Sequence, residues 1–550
     1  RPHAGGLKFP ALVTTSVSTR ANRSSRRIGA RSSGTLVTAR LRSLPRSSSQ
    51  RTVGSDPGGG RSLFKASAGK DELFASNIAL LGAMLGDELR VDREHEDFFL
   101  IYGFHPFGRT VYEGVRNQAA GEMAIASSSG VDIAKANPPA AAAAKGLPKG
   151  EREAIESLYG VFIGSTRALL PERRQKVGVL LGGFDSALVA SAIHRLGYPV
   201  ETYSFHYEDN SYNQPHTDTL AEYLGIKHHW IDVSRGQIET GLKRFATVFN
   251  QPTNWPNYVI QTARVCERMR ADGIMLCYSG DGCDTLFLGY PGTYRRARLI
   301  NSLPSLPKPL WKAAVGLAAQ RWADRSGGHP YRVAMGLLRG LGRSPAARSY
   351  LSFRILDELS LEQLKQLPPQ NIDAIVEELS APQAELPFAR RAYIGKAAVS
   401  PNRSKMLASA DLTGVSILSP YMHPALKQFA LALPVELMRP ADNRRQAVTG
   451  KYILARMAED KGLLPPDVIF QPKVAAVDAP IDDWYAGPMR PVMKEILRDL
   501  PFSYDERYVD HLLDEKLPEK IFKRRFMIDN VISHAPSLLA TYARFAARAK

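Results

Sequence analysis

The sequence predicts an α/β fold built on a parallel, doubly wound sheet and followed by a largely helical carboxyl-terminal part. Three observations support this prediction. Buried strands alternate with helices from residue 151 to about residue 300, which is typical of a parallel sheet covered on both faces. Two of these strands each end in a glycine-rich acidic turn. Beyond that region the apolar pattern is mostly helical, and no internal repeat is visible.

The elements of the predicted sheet follow one another closely along the chain. Strands are predicted at Val177–Leu181, Val200–Phe205, His228–Val233 and Gly273–Tyr278, and helices at 151–170, Ser186–Leu196 and His216–Leu224. Adjacent histidines such as His228 and His229 can indicate a metal site. Neighbouring residues of a strand point to opposite faces, so we expect these two rings to pack separately.

The sequence predicts five segments. Residues 1–60 are rich in Arg, Ser and Gly, with little apolar periodicity, which predicts a disordered basic tail or a transit peptide. Residues 61–135 contain a short hairpin and a helix, and a Pro- and Ala-rich linker follows at 136–150. The α/β core is assigned to 151–305 and the helical remainder to 306–550.

Composition excludes several classes of protein. Residues 1–65 contain 13 Lys and Arg but a single acid, so most of the net charge of +18 lies in the tail. The body therefore gives little indication of a nucleic-acid surface. The three cysteines form no CxxC pair, which favours a reducing, cytoplasmic compartment over a disulfide framework. No uncharged apolar stretch reaches the roughly 18 residues of a membrane span.

The first chemical motif is the turn Leu181-Gly182-Gly183-Phe184-Asp185-Ser186, between a buried strand and a helix. Glycines let the backbone approach an anion closely, and a helix start offers N–H groups and a positive dipole end. Asp185 could cap the helix or hold a metal, and Ser186 could bond a phosphate or the backbone. The spacing differs from the GxxxxGK[ST] loop and from the dinucleotide fingerprint. Alone, the motif is also consistent with a plain capped turn.

The second motif, Ser279-Gly280-Asp281-Gly282-Cys283-Asp284, again follows a buried strand. Ligands of open parallel sheets bind outside the carboxyl ends of the strands, so both turns should open onto one crevice. Carboxylates facing a polyphosphate would repel it unless a cation lay between them. Mg²⁺ accepts one or two carboxylates together with phosphate oxygens, so the two motifs predict a site for a polyphosphate and Mg²⁺.

Both motifs resemble those of the asparagine synthase superfamily. Residues 180–186 are similar to its loop LSGGxDS, and residues 279–290 to its SGxGxDExFxGY. The similarity continues through Lys405-Met406, Gly414–Leu433 and Gln446–Trp484, and residues 61–118 look like the end of its glutaminase domain. The resemblance implies a sheet of the adenine nucleotide α-hydrolase (PP-loop, HUP-like) type, preceded by a remnant of an α+β Ntn-type glutaminase domain.

The resemblance also implies a reaction. The family adenylates a carboxylate with ATP, releases pyrophosphate and lets an amine attack the acyl-AMP. ATP and Mg²⁺ would be the cofactors, a small-molecule or peptide carboxylate the substrate, and ammonia or an amine the second substrate; a homodimer is compatible with it. The implied ATP and pyrophosphate contacts are Leu181, Gly182, Gly183, Asp185, Ser186, Ser204, Phe205, Ser279, Gly280, Asp281 and Gly282. Asp185 and Asp284 would hold the metal, and Lys451, Lys473 and Asp284 would be catalytic.

Several positions depart from the family pattern. Leu181 replaces the usual serine, Thr285 replaces an acid, and Leu288 replaces a glycine. Ser416 stands where asparagine synthases tend to carry a glutamate that contacts the reacting amine or substrate, which weakens the specific assignment to aspartate amidation. No cysteine precedes residue 260, so a thiol nucleophile for glutamine hydrolysis is not expected.

Two other functional classes stay open at this point. The departures at Leu181, Thr285 and Ser416 are consistent with a non-catalytic relative that binds a nucleotide or a partner. A tRNA-modifying enzyme can use the same loop to adenylate a base, and a basic tail could bind phosphates. The body lacks CxxC pairs and obvious aromatic-basic nucleic-acid modules, which makes this second alternative weaker.

Overall fold

A computed structural model provides the fold of the chain. It describes residues 38–41, 51–54, 63–86, 89–118, 122–127, 130–135, 150–208, 216–249, 251–289, 341–350, 354–356, 358–384, 402–438, 451–470, 481–514 and 535–549, together with isolated positions outside these ranges. The statements below concern these residues.

Two antiparallel sheets precede the α/β core. Their strands are β1 (Thr38–Leu41), β2 (Arg51–Gly54), β3 (Phe64–Ala68), β4 (Asp71–Ala75), β5 (Arg116–Asn117), β6 (Glu122–Ser127) and β7 (Gly130–Lys135). The strand orders are β1-β4-β3-β5 and β2-β6-β7. The predicted hairpin is confirmed, with its turn at Gly69 and Lys70. Strands β1 and β2 lie in the segment for which a disordered tail is predicted, and they pair with β4 and β6, partners that local composition does not reveal.

The central sheet has five parallel strands. These are β8 (Val177–Leu180), β9 (Val200–Tyr207), β10 (His228–Val233), β11 (Leu276–Ser279) and β12 (Ser416–Leu418). Their order is β10-β9-β8-β11-β12, and every pairing is parallel, which confirms the predicted α/β class. The sequence did not predict β12, because it has three residues and its partner β11 lies far away along the chain.

Helices cover the sheet and build the rest of the described chain. They are α1 (Ile78–Leu85), α2 (Glu96–Tyr102), α3 (Glu151–Leu169), α4 (Phe184–Arg195), α5 (His216–Leu224), α6 (Arg235–Lys243), α7 (Phe245–Val248), α8 (Pro256–Ala271), α9 (Cys283–Leu286), α10 (Pro345–Arg348), α11 (Glu358–Lys365), α12 (Ile372–Ser380), α13 (Asn402–Thr413), α14 (Pro424–Ala432), α15 (Val435–Met438), α16 (Tyr452–Asp460), α17 (Pro466–Ile469), α18 (Ile481–Ala486), α19 (Arg490–Leu497), α20 (Glu506–Asp514) and α21 (Ala535–Ala547). Short 3₁₀ turns lie at Pro106–Gly108, Ala381–Gln383 and Pro420–Met422. Among these helices, none is both long and apolar enough to cross a membrane.

The two faces of the sheet bury separate hydrophobic layers. On one face, Val177 and Val179 of β8 pack with apolar residues of α3, α4 and α16. On the other face, Tyr203 and Phe205 of β9 pack with apolar residues of α8. The loops after β8 and β11 meet at the carboxyl edge of the sheet, outside these two layers.

The amino-terminal region packs against the carboxyl-terminal helices. Glu96 at the start of α2 accepts a hydrogen bond from Tyr542 Oη of α21 at 2.6 Å. Lys365 of α11 donates to Glu96 at 2.8 Å and to Asp97 at 2.6 Å. These partly buried ion pairs of Lys365 hold the two regions together. Among the bonds of the described residues, none joins Lys365 to the loops after β8 and β11.

The two histidines of β10 face opposite sides of the sheet, as predicted. His229 Nε2 bonds Glu201 Oε2 at 2.9 Å, and the His229 ring stacks on Tyr203. On the other side, His228 Nδ1 lies 2.9 Å from Thr202 Oγ1, and burial lowers the pKa of His228 to about 4. The pair is therefore a packing feature of the strand, with separate partners for each ring.

Glu201 carries a pH-dependent contribution to stability. Burial alone would raise its pKa, but hydrogen bonds from Lys176, His229 and Tyr203 outweigh burial and lower the pKa to about 2. A carboxyl group with a lowered folded-state pKa stabilises the fold above its unfolded pKa, and the stabilisation disappears as the pH falls toward the folded value.

We therefore expect Glu201→Gln to lower the free energy of unfolding by about 1–3 kcal/mol near neutral pH. Chemical denaturation of both proteins should show the difference shrinking as the pH falls from about 5 to about 2. A difference that stays constant across that range would contradict the assignment of the pKa shift to Glu201.

Candidate functional site

The first turn leads from β8 into α4. Gly183, at the amino-terminal cap of α4, has φ 146°, a backbone conformation that favours glycine. Ser186 Oγ accepts a hydrogen bond from the Gly182 N–H at 2.9 Å and donates to the Gly183 carbonyl at 3.0 Å. Ser204 Oγ of β9 donates to the Leu181 carbonyl at 2.7 Å. Two serine hydroxyls therefore hold the shape of this turn.

The predicted adenosine contacts lie behind the turn. Ser204 is buried, and its hydroxyl supports Leu181. Phe205 is also buried, and its ring packs edge-on against Tyr207 in the core. Leu181 itself packs into the layer beneath α4, so the family's serine position faces the core in this chain. Adenosine contact by Ser204 and Phe205 stays a prediction.

The second turn lies directly against the first. Strand β11 pairs with β8, which brings the two carboxyl ends side by side. At Gly280 a Cβ atom would lie 2.6 Å from Asp185 Cβ and 2.7 Å from the Ser186 nitrogen, so only glycine fits there without displacement. Gly282 has φ 91° and caps α9. The two motifs therefore occupy one place at the carboxyl edge of the sheet.

Lys451, immediately before α16, joins the acids of both turns. Its ammonium group forms an ion pair with Asp185 Oδ1 and lies 2.7 Å from Asp284 Oδ1. Only 4% of Lys451 is exposed. Burial alone would lower the pKa of Lys451, but the carboxylates of Asp185 and Asp284 outweigh it and raise the pKa, so the lysine stays charged.

The residues after α9 fit closely around this ion pair. A Cβ atom at Gly289 would lie 2.1 Å from Asp284 Oδ1 and 2.6 Å from Lys451 Cε, so a side chain there would displace both groups. Leu288 has φ 56°, in the left-handed region, where the related motif carries a glycine. This conformation costs a non-glycine residue about 1–2 kcal/mol. Burial of the Leu288 side chain in the core offsets that cost.

A second buried lysine meets the other acid of the second turn. Lys405 of α13 lies 2.7 Å and 2.6 Å from the two carboxylate oxygens of Asp281. It donates to the Tyr258 hydroxyl at 3.0 Å and lies 4.1 Å from the centre of that ring. The family resemblance predicts Asp281 as a phosphate contact. It gives no role to Lys405, although Lys405-Met406 lies within the region of resemblance.

Two more side chains support the turns from the segment after β12. Ser419 Oγ donates to the Asp281 carbonyl at 2.7 Å, and Tyr421 Oη donates to the Asp185 carbonyl at 3.1 Å. Both are buried. Both residues lie within Gly414–Leu433, a region of the family resemblance, but the sequence gave no indication that these hydroxyls hold the turns.

The remaining predicted positions are placed as follows. Ser279 ends β11 and is buried, and Thr285 is buried in α9. Ser416 begins β12 beside Leu276, and its N–H donates to the Met275 carbonyl at 3.0 Å. Lys473, predicted to be catalytic, lies outside the described residues.

The donors of the site suit a magnesium ion. Asp185 Oδ1 and Asp284 Oδ1 converge on the same ammonium group, so they lie close enough to serve one cation. Carboxylate oxygens are hard donors of the kind that Mg²⁺ takes in proteins. Among the residues that the structure describes here, the carboxylates of Asp185, Asp281 and Asp284 lie with two lysines, Lys405 and Lys451.

Another acidic group in the described chain has a different explanation. Potential ligand atoms of Asp92, Glu94 and His95 lie within 4.8 Å of one another. Arg109, however, pairs with Asp92 at 3.4 Å and with Glu94 at 3.5 Å, and His95 Nδ1 lies 3.3 Å from Asp92. These side chains therefore already form an ion-pair network of the amino-terminal region.

Comparison with known proteins locates the site within a recognised sequence family. A family model described as asparagine synthase matches residues 161–534, well over half of the chain. The match begins within α3 and includes both turns, Lys405 and Lys451. No curated protein matches the chain.

Proposed function

Because this chain belongs to the asparagine synthase family, we propose that it is an ATP-dependent ligase that activates a carboxylate as an acyl adenylate. Ammonia or an amine then attacks the adenylate to form an amide bond. The convergence of Asp185 and Asp284 on buried Lys451, at the carboxyl edge of a parallel sheet, carries this proposal. Ligands of such sheets bind at this edge. Neighbouring carboxylates and lysines suit a nucleotide bound with a metal, because carboxylates bind the metal and ammonium groups attract phosphates.

The proposed reaction has two steps. A carboxylate oxygen of the substrate attacks the α-phosphorus of ATP, the bond from that phosphorus to the bridging oxygen breaks, and pyrophosphate leaves. The amine nitrogen then attacks the carbonyl carbon of the acyl adenylate. The bond between this carbon and the phosphate oxygen breaks, AMP leaves, and the nitrogen loses a proton.

The residues of the site would act mainly by placing charge. A Mg²⁺ ion held by Asp185 and Asp284 would neutralise charge on the phosphates. Lys451 adds a fixed positive charge, and fixed charges stabilise a developing anion without reorganising as the reaction proceeds. The glycines of both turns keep side chains away from the place where the two turns meet, so the backbone can approach a phosphate closely.

The amine donor is proposed to be ammonia or an amine, without glutamine hydrolysis by this chain. The three cysteines are Cys266, Cys277 and Cys283, all of them buried. Burial raises the pKa of the Cys283 thiol well above its usual value, which disfavours the thiolate that would attack an amide.

A second candidate is a relative that binds nucleotide without catalysis. Two observations favour it: the hydroxyl of Ser186 is bonded within its own turn, and Leu181 supplies no hydroxyl for a phosphate. A neutral hydrogen bond contributes about 0.5–1.5 kcal/mol, so neither feature excludes ATP binding. Calorimetry with ATP and Mg²⁺ separates the candidates: binding without pyrophosphate exchange favours the non-catalytic one.

Pyrophosphate exchange into ATP, measured with a panel of carboxylic acids that includes aspartate, tests the proposed function. We expect Asp185→Asn to lower the exchange rate at least about 100-fold, because it removes a charged metal donor from the phosphate site. The matched control is Asp467→Asn, at an exposed position of α17, which should exchange at the wild-type rate. Unchanged exchange by Asp185→Asn would remove Asp185 from the site.

A further inference from the structure

Lys405 and Asp281 form a buried ion pair that the proposed reaction does not use. Lys405 is 1% exposed and Asp281 is 7% exposed, and both carboxylate oxygens lie within 2.7 Å of the ammonium nitrogen. Removing two charges from water is costly, and a buried pair is often no more stabilising than apolar residues of similar volume. General stability therefore gives no sufficient reason for this pair, and its location becomes the informative feature.

The pair lies at the second turn and not elsewhere in the core. Asp281 stands between Gly280, which contacts the first turn, and Gly282, which caps α9. Lys405 comes from α13, and Tyr258, at the start of α8, accepts a second hydrogen bond from its ammonium group. Two helices are thereby fixed to the middle residue of a turn that presses against Asp185.

Charge balance explains what the pair does there. Lys451 is shared between Asp185 and Asp284, so it cannot also compensate Asp281. Removing Lys405 would take one positive charge from the side of a site that must accept a polyphosphate, and charges interact strongly where they are poorly solvated. With Lys405 in place, Asp281 is neutralised from the side of α13.

We propose that Lys405 is a positioning residue, which neutralises Asp281 and holds the Gly280–Gly282 turn in the shape that binds the phosphates of ATP. Only Asp185 and Asp284 then remain to share a divalent cation. This inference rests on the proposed function. It assigns the two acids of the second motif separate tasks: Asp281 anchors the turn, and Asp284 faces the metal.

The test uses the full chain and three variants. Lys405→Met removes the ammonium group beside Asp281, and the double variant Lys405→Met with Asp281→Asn removes both charges and keeps similar volume. Lys365→Met is the matched control, because it also breaks a partly buried lysine–carboxylate contact but lies away from the turns. Calorimetry gives the affinity for ATP with Mg²⁺, thermal unfolding gives stability, and pyrophosphate exchange gives KM and kcat.

We expect Lys405→Met to raise the KM for ATP at least about tenfold with little change in kcat, because the loss of one positive charge acts equally on bound ATP and on the transition state. The double variant should return KM to within about threefold of wild type. Lys365→Met should lower the melting temperature and leave ATP affinity unchanged.

The outcomes separate the two ideas. A Lys405→Met variant with the wild-type KM, a loss in kcat alone, or a double variant that folds but does not recover ATP affinity would overturn the role of Lys405 and leave the proposed function intact. If wild type neither binds ATP nor exchanges pyrophosphate, the proposed function and this inference both fail.

Discussion

Replacing Lys451 with methionine should lower pyrophosphate exchange at least about 1000-fold, the largest catalytic loss that we expect from a single substitution in this chain. The ammonium group contacts Asp185 and Asp284 together, and the site lies at the meeting point of two turns. Without it, these two neighbouring carboxylates would lose the ammonium group that they share, and the proposed phosphate site would become more negative. The loss should appear in kcat as well as in KM, because charge on the transferring phosphoryl group develops during the reaction.

The same substitution should also lower stability. Removing one partner of a buried ion pair costs about 3–5 kcal/mol, because the other charge stays buried and uncompensated. The free energy of unfolding, from denaturant titration, should therefore fall together with activity. The two effects are separated by assaying exchange at a temperature where the variant is fully folded, as judged by circular dichroism.

Lys461→Met is the control for Lys451→Met. Lys461 follows α16, the helix that Lys451 precedes, and pairs with Glu156 and Asp460 away from the turns. It should keep the wild-type exchange rate and lose little stability, because solvent screens the ion pairs of Lys461. A Lys451→Met protein that retained more than about a tenth of the wild-type exchange rate would show that Lys451 is not part of the phosphate site.

The sequence predicted the sheet well because its signals are local. Buried strands and the glycines that follow them are visible within short windows, so the strands β8 to β11 and the turn at Gly182-Gly183 could be predicted directly. The neighbouring placement of the two turns also followed, from the rule that ligands bind at the carboxyl ends of parallel strands.

The partners of the charged residues could not be predicted in the same way. Asp281 and Asp284 are three residues apart in one motif, yet they pair with different lysines, from α13 and from the segment before α16. Local spacing shows that an acid is present but not which distant lysine reaches it. The sequence therefore placed both acids on the ligand, whereas the structure gives Asp281 a buried partner of its own.

Pairing between distant segments explains the other misses. Strand β12 is three residues long and is defined by hydrogen bonds to β11. Similarly, β1 and β2 lie in a stretch whose composition is typical of disorder, and only their pairing with β4 and β6 makes them strands. Composition indicates how much apolar surface a segment can bury by itself. It does not show the hydrogen bonds that a strand from elsewhere in the chain supplies.

Gly280→Ala should disrupt the site by a purely steric effect. The added methyl group would lie 2.6 Å from Asp185 Cβ and 2.7 Å from the Ser186 nitrogen, and the second of these is backbone that cannot rotate away. The two turns would have to separate. Overpacking of this kind costs about 1–3 kcal/mol of stability, and a displacement of about 1 Å can lower activity about 100-fold. We therefore expect denaturant titration to show a loss of about 1–3 kcal/mol, and pyrophosphate exchange to fall about 100-fold.

The matched control is Gly160→Ala, which adds the same methyl group where there is room for it. Gly160 lies inside α3, and a Cβ atom there would have nothing within 4 Å. Alanine is a better helix former than glycine, so this variant should gain about 0.5–1 kcal/mol of stability and keep its exchange rate. If Gly280→Ala behaved like Gly160→Ala, the turns would not be in contact as the structure places them. The proposed crevice for the phosphates of ATP would then lack the contact between the turns on which it depends. Opposite results for the two glycines would show that activity depends on this contact.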